Sequence, residues 1–303
     1  MNLYKLPSLQ TAYLIIRKTF SIRKLREMMR FSFVVSGGLG YKIENLFHNE
    51  SSFDEFAKAL RILREHGFEG VELNLGFDDE YRLRKIKTAV DESGLKVGAI
   101  GTGMVYAKER LSFTEGDAEK RSKALNIVKN LIRFASSLHA AVVIGLVRGS
   151  PAQPDETTYD QLRENLTQCD RVAHEKNVRI ALEAINRYET SLLNTASEAA
   201  QIIEQEKLTA TGLLLDTFHM NIEEQSISDS IRNNAHRIVH FHIADSDRWP
   251  PGHGHLDIST LLHTLETSGY NGWVSTEALP KPNNAQAVAD TAEFLKSQKF
   301  MRP

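Results

Sequence analysis

Four residues in the second half of the chain could act together chemically: Glu183, Asp216, His242 and Glu277. Each closes a short strand-like run, in IALEAINRYE, GLLLDTFHM, IVHFHIADSDR and WVSTEAL. Three carboxylates and one imidazole form a hard-to-borderline donor set suited to a divalent cation. From 183 to 216, 242 and 277 the intervals are 33, 26 and 35 residues, about one strand, loop, helix and loop each. A carboxylate at the end of a buried strand is costly to desolvate unless a cation or donors compensate it. Any one of these acids alone reads as a helix cap or a rim salt bridge. One shared cation would compensate all three. Second polar groups follow at fixed offsets, with Glu189 six residues after Glu183, His219 three after Asp216 and Arg248 six after His242. Such offsets fall in loops just above a metal plane, where a substrate would lie. Taken singly, His219 reads equally as a loop histidine, Arg248 as a solvated charge, and Asn186 and Arg187 as loop braces.

The elements that must position these groups are strands alternating with helices. Eight apolar runs bounded by turn or cap residues read as strands: 31–36, 70–75, 96–101, 140–146, 178–183, 212–216, 238–243 and 273–277. Between them apolar residues recur at helical spacing, as in Phe53, Phe56, Leu60 and Leu63, or Leu125, Val128, Leu131 and Phe134, or Leu162 and Leu166. This alternation predicts a parallel sheet covered by helices. One candidate ligand at the C-terminal end of each of strands five to eight predicts a single (β/α)8 TIM barrel, in which loops at that end form the site. REHGFEGVEL and ETSGYNGWVSTE repeat one plan of helix end, Gly, aromatic, Gly and strand, and the first Gly of each, Gly67 and Gly269, reads as a left-handed helix cap. A doubly wound open sheet is disfavoured because Gly37, Gly38 and Gly40 lack the GxGxxG spacing after the first strand.

At 303 residues the chain accommodates such a barrel as one domain. Its 37 basic and 39 acidic residues leave a net charge of −2, with no footprint for nucleic acid or an anionic membrane. The lone Cys169 excludes an intrachain disulfide framework and fits a reducing, cytoplasmic setting. The longest conspicuous apolar run, AAVVIGLV at 140–147, is too short to span a bilayer. Residues 1–30 are set apart by Lys5, Arg17, Lys18, Arg23, Lys24, Arg26 and Arg30 against Glu27 alone. They read as a dispensable extension, with a transit peptide as the alternative, before a catalytic domain at 31–303.

LEAINRYE with LLNT following, LLLDTFHMNIEE, HFHIADSDR with PPGHGHLD following, and STEAL together resemble the xylose isomerase-like barrel superfamily, and within it the ketose 3-epimerases of the D-tagatose and D-psicose group. The resemblance runs from Phe31 to about Lys296. VGAIGTGMVYAKERLSFT and VVIGLVRG are more similar to the 5-keto-L-gluconate epimerase branch. The resemblance implies that Glu183, Asp216, His242 and Glu277 ligate one divalent ion (Mn2+, Co2+ or Mg2+), that Glu189, His219 and Arg248 hold a small ketose or keto-sugar acid, and that the chains form a homo-oligomer. A cation bound by a carbonyl and its neighbouring hydroxyl would stabilise an enediolate. Epimerisation needs the proton removed from one face and returned to the other, which assigns Glu183 and Glu277 as the acid/base pair. The same groups would serve an aldose-ketose isomerase.

Arg148, at the end of strand four, reads either as a two-pronged clamp for a substrate carboxylate or as a rim salt bridge. His253 and His255 sit among Pro250, Pro251, Gly252 and Gly254 and read as loop residues, with Asp257 capping a helix near Ser259. Two readings from other classes are an endonuclease IV-like nuclease and a non-catalytic sugar-binding barrel. The first needs extra histidines after early strands, where this chain has Asn74, Leu75, Gly101 and Thr102.

Overall fold

Eight strands, β1 (Arg30–Ser36), β2 (Gly70–Asn74), β3 (Lys96–Gly101), β4 (Ala141–Ile144), β5 (Ile180–Glu183), β6 (Thr211–Asp216), β7 (Ile238–Ile243) and β8 (Trp273–Thr276), pair in parallel with their neighbours. The β1–β8 ladder, from Arg30 opposite Trp273 to Phe33 opposite Thr276, closes the ring. A two-residue strand, Tyr41–Lys42, adds to the far end of β1. This is the expected (β/α)8 barrel. The coordinates, a computed structural model, describe residues 28–302, so the expected extension lies outside the described residues up to position 27, while Arg30 already belongs to the barrel.

Among the described residues ten α-helices surround it: α1 (Glu50–Glu65), α2 (Glu80–Ser93), α3 (Gly103–Glu109), α4 (Ala118–Ser136), α5 (Glu156–Lys176), α6 (Ala196–Gln205), α7 (Thr217–Glu223), α8 (Ile227–Asn234), α9 (Ile258–Thr267) and α10 (Asn284–Ser297). Their starts follow capping chemistry: Asn49 and Ser52 form a reciprocal capping box on α1, and Asp155 and Thr158 do the same on α5. The inward stripes are the ones legible from spacing, with Phe56, Leu60 and Leu63 buried on α1 and Leu125, Val128 and Leu131 on α4. Both repeat glycines are left-handed, Gly67 at φ +93° and Gly269 at φ +91°.

The fourth strand is shorter than expected. Gly145 leaves strand geometry at φ −106°, ψ −118°, and Leu146–Arg148 continue as a 3-10 turn.

Inside the ring two chemistries meet. Ala99, Val143, Ala181 and Leu214 form a small apolar cluster separate from the main core. The other side of the ring is polar: the Ser32 and Ser275 hydroxyls lie 2.5 Å apart, and Glu72, His240 and His242 are all buried. Trp273 lies beside the glycines Gly70 and Gly98 and carries the Arg30 guanidinium 4.4 Å above its ring.

Candidate active site

The four strand-end residues converge. Glu183 and Asp216 are the last residues of β5 and β6, His242 is the penultimate residue of β7, and Glu277 directly follows β8. One donor atom from each lies within 4.8 Å of the other three. His242 Nδ1 is 3.6 Å from Asp216 Oδ2, 3.7 Å from Glu277 Oε2 and 3.9 Å from Glu183 Oε1. These separations are too long for hydrogen bonds.

The helix-cap reading of Asp216 holds for half of its carboxylate. Oδ1 accepts from the backbone N–H groups of Phe218 and His219 at the start of α7, 2.7 and 3.3 Å away. Oδ2 has no partner although it is buried, and the same is true of His242 Nδ1. Two orphaned polar atoms facing each other, with two more carboxylates alongside, fit a shared divalent cation. Glu183, Asp216, His242 and Glu277 are the residues that would hold it. Burial pushes the Glu183 carboxyl up to about 8, with Glu277 and Asp216 adding to the effect and His242 and Arg148 opposing it. A cation would relieve that repulsion.

The offset residues form a second layer on the same cavity, which measures about 190 Å3 and is lined by Glu183, Glu189, His219, His242, Arg248 and Glu277 among others. Asn186 organises it. Its side-chain amide donates to Glu189 Oε1 at 3.0 Å and to His219 Nδ1 at 2.7 Å. With Nδ1 accepting, the His219 proton sits on Nε2, which points toward Glu183 Oε1 at 3.7 Å. Burial also holds His219 below the usual imidazole range, so it is neutral and a donor into the cavity.

Arg248 bridges the two glutamates, with Nη1 donating to Glu189 Oε1 at 2.8 Å and Nη2 to Glu277 Oε2 at 3.2 Å. Its guanidinium lies 4.8 Å from the centroid of the Phe218 ring, and its Nε is buried without a partner. Its backbone is left-handed at φ +60°, a strained conformation of the kind that clusters at functional sites. Arg187 has the bracing role: it holds Glu223 through Nε and Nη2, tying the loop after β5 to α7.

Arg148 occupies neither place expected of it. It is fully buried and does not line the cavity. Its Nε and Nη2 donate to the Leu192 carbonyl at 3.1 and 2.9 Å, and Nη2 also reaches the Leu193 carbonyl at 3.3 Å. The short 3-10 turn after Gly145 carries it under the β5–α6 loop, where it holds the segment that bears Asn186 and Glu189. His253 and His255 are loop residues as expected, bonded to Asp247 and Ser246, and Asp257 caps α9. Asn74 lines the cavity and Thr102 closes its wall.

Spacing alone did not single out Glu72 and His240. Glu72, in the middle of β2, lies within hydrogen-bond distance of His240 Nε2 (2.7 Å) and His242 Nε2 (3.0 Å). Burial alone would raise its pKa, but His242 and His240 outweigh that and hold it well below the carboxylate range. Two signals were available: an acid inside the apolar run GVELNL, which must find a partner, and the H-x-H of HFHIAD, which period two puts on one face.

A barrel with acids and an imidazole converging at the C-terminal ends of its last four strands has the arrangement of a TIM-barrel enzyme site, and sequence comparison narrows it. Residues 60–298 match the family described as "Xylose isomerase-like TIM barrel". The 3-dehydro-D-guloside 4-epimerase of Escherichia coli is 27% identical over 82% of this chain and 97% of its own length. The ketose 3-epimerase of Arthrobacter globiformis is 30% identical over 71% of this chain and 74% of its own length. Among solved structures, apo 3-keto-D-glucoside 4-epimerase from E. coli superposes with a TM-score of 0.73 at 23% identity, covering 89% of this chain and 99% of that one. D-allulose 3-epimerase from Methylomonas sp. in complex with D-allulose gives 0.74 at 19%, covering 90% and 98%. The chain belongs to the xylose isomerase-like TIM barrel family, among its ketose and keto-sugar epimerases, and is an enzyme of the isomerase class. Among the described residues no helix is long and apolar enough to cross a membrane.

Proposed function

We propose that the chain epimerises a keto-sugar at the carbon next to its carbonyl, using one divalent cation and the Glu183/Glu277 pair. The convergence of those two carboxylates around Asp216 and His242 carries the reading. The names of the relatives differ, but the chemistry does not: a 4-epimerase acting on a 3-keto sugar and a 3-epimerase acting on a 2-ketose both invert a carbon adjacent to the carbonyl. That carbon's proton is the acidic one.

A bound divalent cation would act as a Lewis acid on the substrate carbonyl. Glu183 and Glu277 flank Asp216 and His242 in the sequence of strands, so one can take the proton from one face of the sugar while the other, protonated, returns one from the opposite face. The His219 Nε2–H and the unpaired Arg248 Nε are donors available to the oxygen on which negative charge develops. Asn186 and Glu189 hold those two donors in place.

Among the described residues Arg248 is the only Arg or Lys lining the cavity, and it is already engaged by Glu189 and Glu277. A neutral ketose or keto-sugar therefore suits the site better than a keto-sugar acid of the 5-keto-L-gluconate kind, which would require a free cation. A homo-oligomer remains part of the proposal and would be read by light scattering. The test of the reaction is incubation of the Mn2+-loaded protein with a panel of neutral ketoses, 3-keto-glycosides and keto-sugar acids in deuterated water. Deuterium incorporation with inversion beside the carbonyl is expected for a neutral member. Absence of exchange with every member would sink the proton-transfer reading, and carbonyl migration without inversion would make the enzyme an aldose-ketose isomerase.

A further inference from the structure

We infer that Glu72 is the positioning residue of the metal centre: its carboxylate accepts the Nε2–H of His242 and thereby commits Nδ1 of that ring to the cation. The inference rests on the metal-centre reading above and adds a residue outside the proposed ligand set, buried on β2 and lining the cavity. An imidazole can present only one nitrogen lone pair when neutral, and the partner of the other nitrogen decides which one. His242 Nε2 lies 3.0 Å from Glu72 Oε2 and 3.2 Å from Oε1, so both carboxylate oxygens face that N–H. On the opposite edge of the ring, Nδ1 is buried, without a partner, and surrounded by Asp216, Glu183 and Glu277. The ring is thus held between an acceptor-only group beneath it and the donor cluster above.

His240 completes the arrangement from the same face of β7. It donates Nε2–H to Glu72 Oε2 at 2.7 Å, and its ring stands edge-on to His242 at 82°, with centroids 5.2 Å apart. Two imidazole N–H groups on one carboxylate fix its orientation, and the register sets the contact: Glu72 comes from β2, three strands of the closed ring away from β7 through β1 and β8. The carboxylate also raises the basicity of His242 as a ligand. Partners of this kind typically contribute about 10- to 100-fold to metal affinity.

Glu72, His240 and His242 could also be read as a second cation site, since their donor atoms lie within 4.8 Å of one another. Hydrogen bonds account for all three contacts without an ion, and a second ion would require His242 to bridge two cations through both nitrogens.

Calorimetric titration of the metal-free full chain with Mn2+ tests the inference, using wild type, Asp216→Asn and Glu72→Gln, with circular dichroism and melting curves to confirm folding. Wild type should bind one ion and Asp216→Asn should lose it, which checks the metal-centre reading separately. Glu72→Gln should fold and bind that ion about 10- to 100-fold more weakly. Glu72→Asp, which keeps the charge, should recover part of the loss and serves as the readout if the glutamine variant does not fold. Affinity within twofold of wild type in the folded Glu72 variant would overturn the inference. So would a wild-type stoichiometry of two ions that falls to one in Glu72→Gln.

Discussion

Metal binding at this site should expel protons, and the number follows from the geometry. Burial pushes Glu183 up to about 8, so in the metal-free protein at neutral pH it holds a proton. His242 is pushed down by burial, but Glu72, Asp216 and Glu277 more than offset this and hold it well above the ordinary imidazole value, so it too is protonated. A cation needs both groups deprotonated. Each ion bound near pH 6 should therefore release about two protons, and affinity should rise by about two decades per pH unit there, less steeply as pH passes through the Glu183 value. The same shifts govern stability. A carboxyl raised from 4.5 to about 8 leaves the native state holding more protons than the unfolded chain between those values, so the metal-free protein loses stability as pH rises through that window. A raised imidazole acts in the same sense above 6.5. For Glu183 alone the ceiling is about 5 kcal/mol, from 1.36 kcal/mol per unit, and coupling to its neighbours reduces it. Calorimetry in two buffers of different ionisation enthalpy gives the proton count, and melting curves with and without Mn2+ at pH 5.5 and 8 give the stability arm. The metal-induced rise in Tm should be larger at pH 8. An affinity that changes less than about threefold between pH 6 and 7, or a Tm rise that is no larger at pH 8, would refute the reasoning.

A Cβ at Gly145 would overlap Glu183 Oε2, which is the mobile end of a side chain. Gly145→Ala should therefore keep its Tm within a few degrees of wild type while weakening metal binding about tenfold or more, read by melting and titration together. Asn186→Asp removes the donor to His219 Nδ1 and favours the tautomer whose Nε2 can no longer donate; kcat should fall about 10- to 100-fold with little change in metal affinity, read by steady-state kinetics. Arg148→Met leaves the Leu192 carbonyl without its donor, at about 1 to 3 kcal/mol for a buried group, while the Leu193 carbonyl keeps the Ile185 N–H. Its activity on neutral and acidic substrates should fall by the same factor, and a loss confined to acidic substrates would restore the carboxylate-clamp reading.

The barrel was legible because each of its signals is local. Alternating strand and helix patterns, Gly67 and Gly269 as caps, and one acid or imidazole per strand end all lie within short windows of sequence. The four ligand candidates were legible for the same reason, since parallel register brings successive strand ends to one rim. Arg148 was misread because its role depends on a turn that strand-like sequence conceals. VVIGLVRG reads as a strand through Leu146, yet Gly145 ends it and sends the arginine beneath the neighbouring loop instead of into the cavity. Glu72 was missed because its partners lie 168 and 170 residues away in sequence and meet it only when the ring closes.

That distance also bears on how the site is built. The residues proposed to move protons or bind sugar sit on strand ends and loops, where sequence change alters the substrate without disturbing the ring. Glu72 and His240 instead lie buried inside the barrel, on the side where β1, β2, β7 and β8 meet. A group there can orient His242 only if the ring has closed in register, because a one-residue slip of β2 would turn the carboxylate outward into the helix layer. Metal affinity and barrel closure are therefore coupled through one hydrogen-bonded pair. On this account the cation should slow the opening of the β1–β8 seam more than that of the β3–β4 side, where Ala99 and Val143 join the small apolar cluster. Hydrogen exchange of the β1 and β8 amides with and without Mn2+ measures it, and protection spread evenly around the ring would show that the coupling does not run through Glu72.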